Sequence, residues 1–173
     1  MSKLFLTIFN CFLLYVGWYG ALILAAKGYP LLAPSILLPI ILWIVGSSPE
    51  PYKRGLFALL FIIMGFFVET TLSSLGVVSY ASPFNFISGA APLWTLGLWG
   101  IIGATFDDIL QWVKGSHYLA LAIVGAIGAP IVFYTGSLIG ALDYPRGLLI
   151  ALLVVGAIWA AILPAFAKLR KLL

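Results

Sequence analysis

Residues 55–78 read GLFALLFIIMGFFVETTLSSLGVV, an apolar run interrupted by a single charge, Glu69. A hydrocarbon core of about 30 Å takes roughly 20 such residues per helix, so this stretch predicts a membrane span with an acid inside it. The pattern repeats on both sides. Apolar runs at 4–26, 31–46, 92–112, 118–142 and 147–167 are separated by short polar or Pro/Gly-rich breaks, such as Lys27-Gly28-Tyr29-Pro30 and Ser47-Ser48-Pro49-Glu50-Pro51. The expected fold class is therefore all-α: a polytopic membrane protein, one six-transmembrane-helix bundle over residues 1–173 with both termini cytoplasmic. The second run is the shortest and carries Pro34 and Pro39.

Composition agrees. Of 173 residues, 64% are hydrophobic and 8% charged, and the mean hydropathy is +1.18. Soluble domains are about 45–50% apolar and about 25% charged, so lipid must cover what a water-soluble fold could not hide. Lys3 precedes the first run as in a secretory leader, but 4–26 exceeds the roughly 7–15 residues of a leader's apolar region, and it reads as a retained helix. Cys11 stands alone, which excludes an intrachain disulfide. Tyr80 to Ala91 reads as a Ser/Gly/Pro-rich loop. Trp43, Tyr52, Tyr80, Trp94, Trp112, Tyr118 and Tyr144 fall near predicted helix ends, where interfacial aromatic anchors sit.

Loop charges set the orientation. With six spans, one side holds Lys3, Lys53, Arg54, Lys114, Lys168, Arg170 and Lys171, and the other only Lys27 and Arg146. This bias places both termini in the cytoplasm and assigns the basic residues to orientation, not to nucleic acid. No base falls inside a predicted span.

Glu69 is the strongest chemical signal. An acid at this depth costs about 2.5–3.5 kcal/mol on insertion scales and should face the bundle or a wet cavity. Counting residues from the predicted helix starts puts Glu69 level with Trp18, with Tyr134-Thr135 and with Trp94 to Leu98. Pro130 lies just below, in the predicted fifth helix, where a proline kink tends to open space. The candidate intramembrane polar site is accordingly Glu69, Trp18, Thr95, Tyr134, Thr135 and Pro130, weighed against ordinary aromatic packing around a buried structural acid. Asn10, deep in the first helix, is a candidate interhelical hydrogen bond. Asp107-Asp108 with Gln111, Lys114 and His117 could be drawn as a metal site, but fraying of the helix end with solvated acids is the favoured reading. No metal or cofactor is expected. Small residues four apart, among them Gly100/Ala104, Gly125/Ala129 and Gly156/Ala160, predict close helix packing. No H-E-x-x-H, G-x-S-x-G or phosphate-loop pattern is present.

Several of these signals come in a recognisable order: Asn10 with Gly17-Trp18, an acid in the third helix, Pro92-Leu93-Trp94 with Leu98-Trp99, then Gly125-Ala126-Ile127-Gly128-Ala129-Pro130 with Gly136 and Gly140-Ala141, and last Trp159 with Pro164. The chain resembles the bacterial inner-membrane family called domain of unknown function 2878, although Ala129 stands where a second glycine is usual. The resemblance implies no established activity. It implies genes near cyclopropane-fatty-acid-synthase-like enzymes, and so a non-catalytic component linked to lipid modification or envelope stress. A small transporter or substrate-binding membrane subunit with its polar site at Glu69 is the alternative. A lipid-active enzyme using Glu69 as acid or base is a third, and catalysis is the less favoured class. Membrane lipids are the expected partners, with room for a membrane-protein partner or a homo-oligomer.

Overall fold

The structure, a computed structural model, describes residues 3–81, 89–112 and 118–172. Among these, six α-helices follow one another: α1 (Lys3–Ala26), α2 (Ala33–Gly46), α3 (Pro51–Ser74), α4 (Leu93–Trp112), α5 (Tyr118–Ile139) and α6 (Leu148–Leu172). Five of them, all but α2, are long and apolar enough to cross a membrane. A 3-10 turn leads into α2, and together they form the shorter apolar helix Pro30–Gly46. The outer surface is rich in exposed Leu, Ile, Phe and Tyr. This is consistent with a multi-pass membrane protein.

Small residues decide which helices approach. α3 packs on α4, and α5 on α6, more closely than any other pairs. A Cβ on Gly103 would lie 2.6 Å from the Phe57 carbonyl oxygen, and one on Gly125 would lie 2.3 Å from that of Trp159. Pro130 has no N–H to offer the Ala126 carbonyl. That carbonyl instead faces Gly156, where a Cβ would sit 2.8 Å away. Around the α3/α4 pair, Phe57, Phe61, Phe106 and Phe166 form an aromatic core, with the Phe61 and Phe166 centroids 4.1 Å apart.

The sequence expectation carried the third helix to 78 and the fifth to 142; both stop earlier, for one reason. Gly76 and Gly140 adopt positive φ, at 65° and 84°. In each case the next residue turns back to bond the helix, Val77 N–H to the Leu72 carbonyl and Ala141 N–H to that of Gly136. This is the Schellman cap, and it redirects the chain sharply. The residues released then pair as a short antiparallel ribbon, β1 (Ser79–Tyr80) with β2 (Leu142–Asp143), Tyr80 opposite Leu142. The ribbon covers one end of the bundle, called here the Glu69 end.

At the opposite end, Thr7 and Asn10 of α1 bond to Asp108 of α4, and Arg170 of α6 bonds to Asp107. The start of α1 and the close of α6 therefore meet at the same end.

Replacing Gly125 by alanine should cost about 1–3 kcal/mol, because its Cβ must displace backbone and not a pliable side chain. Gly128→Ala, whose Cβ meets nothing within 4 Å, should leave stability unchanged. Thermal unfolding in detergent compares the two.

Candidate functional site

Glu69 is buried about four-fifths of the way along α3 and accepts two hydrogen bonds. Trp99 Nε1–H of α4 donates to Oε1 at 2.8 Å, and the Tyr80 hydroxyl of β1 donates to Oε2. Gly65, one turn before Glu69, makes the first bond possible. A Cβ there would lie 2.2 Å from the Trp99 ring, so only glycine lets the indole lie flat on α3. Trp99 stacks in turn on Trp159 of α6 at 4.7 Å, and Tyr80 meets Trp94 edge to face. Burial first, then the adjacent Glu69 carboxylate, pushes the Tyr80 phenol well above its ordinary range. Tyr80 is thus a standing proton donor to Glu69 and cannot serve as its base.

One cavity adjoins this acid, and a second lies beside the first. A compartment of about 30 Å³ is lined by Glu69, Tyr80, Trp94, Thr95 and Trp18, among others. The second, of about 370 Å³, runs between α1 and α5 with α4 and α6 behind it, and its lining is almost wholly apolar. They share Trp18, Ile102, Val132, Phe133 and Trp159. The indole N–H groups of Trp18 and Trp94 are buried and have no acceptor among the described residues. Trp94 as a whole is only 1% exposed. A buried donor without an acceptor costs about 1–3 kcal/mol, a cost that a ligand or a water can relieve.

A family model described as "Protein of unknown function (DUF2878)" matches residues 7–165. The chain belongs to that family. No curated protein and no solved structure matches it significantly. In this DUF2878 protein, then, roles rest on the geometry of its own residues.

Of the residues expected at the site, Glu69, Trp18 and Thr95 line one compartment. Thr95 Oγ1–H donates to the Pro92 carbonyl and closes the first turn of α4. Tyr134 does not join them: it is 42% exposed on the outer face. The Thr135 hydroxyl bonds the Val132 carbonyl of its own helix, and Pro130 packs toward Gly156. Successive helical positions diverge by about 100°, and α5 turns Val132, Phe133 and Gly136 inward instead. The site residues that depth counting passed over are Tyr80, Trp99 and Trp159. Tyr80 and Trp94, expected as interfacial anchors, are buried. For Trp99 a signal existed, a glycine four residues before the acid on the facing helix.

The acidic pair in α4 also differs from expectation. Asp108 is not solvated but 2% exposed. It accepts from Arg54 Nη1 at 2.7 Å and Nη2 at 3.2 Å, from Asn10 Nδ2 at 3.0 Å and from Thr7 Oγ1 at 3.2 Å. Arg54, expected in a loop, is a buried residue of α3, so a base does lie within a helix. Asp107 faces elsewhere and takes a two-pronged bond from Arg170, Nε at 2.7 Å and Nη2 at 3.0 Å. Arg170 also reaches Glu50, whose carboxyl Lys53 and Arg170 hold below its usual range. Among the described residues no group of three His, Cys, Asp or Glu is placed to hold a metal. Lys114 and His117, considered for such a site, lie outside the described residues, as does the side chain of Gln111.

Arg54→Met leaves Asp108 charged and buried and should cost about 3–5 kcal/mol, whereas Arg54→Met with Asp108→Leu should recover most of that loss. A double-mutant cycle of unfolding free energies measures it. Equal losses in the single and double variants would refute the pairing.

Proposed function

We propose that this protein is a six-pass, membrane-embedded binding protein that holds an amphiphile, with the ligand's polar end beside Glu69 and its apolar body in the neighbouring cavity. The carrying observation is an apolar cavity of about 370 Å³, lined by Trp18, beside a smaller compartment lined by Trp18 and Trp94, whose buried indole donors lack acceptors among the described residues. A dry, filled bundle centre would have favoured a purely structural acid. Binding is preferred to acid or base catalysis because both Glu69 oxygens already accept hydrogen bonds, from a tryptophan and from a tyrosine that cannot take up a proton. The role is non-catalytic, in keeping with a component that serves lipid-modifying enzymes of a bacterial inner membrane.

Six crossings with both termini in the cytoplasm are part of the proposal. Supporting it, α2 runs antiparallel along α1, Ile36 near Gly20 and Trp43 against Phe9. The seven-to-two distribution of bases favours the Arg54 end as cytoplasmic. Reporter fusions after Ser48 and at the C-terminus should both report cytoplasm, and one after Gly28 should report the far side. A far-side C-terminus refutes the topology.

For binding, native mass spectrometry of protein released from lipid nanodiscs should show a retained neutral amphiphile. Trp18→Phe with Trp94→Phe removes both donors while keeping aromatic rings, and should cut occupancy at least fivefold. Identical bound-mass profiles in wild type and variant would sink the reading.

A further inference from the structure

The large cavity is not sealed. Tyr15 of α1 and Val124 of α5 line it and are 61% and 48% exposed on the outer surface, so it opens at the seam between these helices. α1 and α5 touch only sparsely, unlike the closely packed α5 and α6. The α1 wall runs from Cys11 to Tyr19, eight helical steps or about 12 Å at roughly 1.5 Å per residue. Both this stretch and the facing Val124–Phe133 wall lie in the middle of their helices. In a bilayer the mouth would therefore face hydrocarbon and not water. Gly128 stands on the α5 wall with nothing within 4 Å of a Cβ, so the wall is open at that point.

The far end of the slot limits the head group. The adjoining compartment beside Glu69, about 30 Å³, has room for one water-sized group and not for a phosphate or a sugar. Among the described residues, no Lys, Arg or His lines either cavity. An anionic head would meet Glu69 with no counter-charge, an arrangement that low polarity penalises heavily. The unpaired Trp18 and Trp94 N–H groups call for an acceptor.

We infer that a single-chain amphiphile bearing one uncharged oxygen function, a hydroxyl or a carbonyl, enters sideways from the lipid between α1 and α5, its chain along Gly128 and its oxygen at the Trp18 wall. This rests on the binding role proposed above and adds the route and the ligand class.

The test uses the full-length protein in lipid nanodiscs with three diazirine-tagged probes: dodecanol, dodecanoate and dodecane. Dodecanol should label α1 and α5 peptides saturably, and the other two at least tenfold more weakly. Gly128→Leu fills the slot and should reduce dodecanol labelling at least tenfold; Ala129→Phe on the same wall serves as a second plug should the first unfold the protein. Ile127→Phe, which adds bulk to the exposed face instead, should leave labelling within twofold. Equal labelling by all three probes overturns the inference, because that is what a lipid-facing surface alone would give. Labelling that survives both plugs but falls in Trp18→Phe with Trp94→Phe overturns the lateral route while the binding role stands. Labelling that survives the plugs and the indole variant overturns both.

Discussion

Asp108 is a carboxylate with no water to turn to. Buried in an apolar bundle, it is met by donors from two other helices, Arg54 from α3, Thr7 and Asn10 from α1. Removing any one leaves the acid under-solvated in a medium where that is expensive, so the arrangement selects one register of three helices and disfavours neighbours shifted by a turn. One residue earlier, Asp107 holds α6 through Arg170. Adjacent acids diverge around a helix, and that divergence lets one turn of α4 grip partners on different sides.

The two buried acids are solvated by different chemistry. Asp108 has a guanidinium as its counter-charge. Among the described residues, Glu69 is held by neutral donors alone, Tyr80 and Trp99. A charge-paired acid is locked, whereas one held by neutral groups beside a cavity sits where a further polar group can be received. The ribbon at the Glu69 end ties the two features together. The caps at Gly76 and Gly140 turn β1 and β2 toward each other, and Tyr80 is thereby delivered to the acid. Tyr144, just beyond, closes the same end by donating to the Phe133 carbonyl at 2.5 Å. Burial pushes its hydroxyl up to about 12, so this bond persists at any physiological pH.

Much of the helical plan was legible, and the misreadings share a cause. Val77-Val78 and Ala141-Leu142 are as apolar as the helices before them, so hydropathy carried the third and fifth helices too far. The capping glycines were visible, but a glycine in an apolar run does not declare its φ. Tyr134 and Thr135 were chosen by depth alone, and α5 turns other residues toward the site. Depth follows from about 1.5 Å per residue, whereas rotation about the axis depends on which neighbour the helix meets. Arg54 and Asp108 are far apart in the chain, and each, near a helix end, looked like an ordinary solvated charge.

Composition and the spacing of apolar runs determined by themselves that the chain is all helical and made for lipid, because about 20 apolar residues in a row have few other uses. They also singled out Glu69, since a lone acid in such a run must be accommodated by something. What accommodates it was settled only in the tertiary structure. Hydrogen bonds between distant residues depend on helix rotation, on backbone contacts that particular glycines permit, and on where the capped chain turns back. None of these is a property of a local stretch of sequence. The slot between α1 and α5 is of the same kind: it exists because two helices that each pack well elsewhere leave a gap between them.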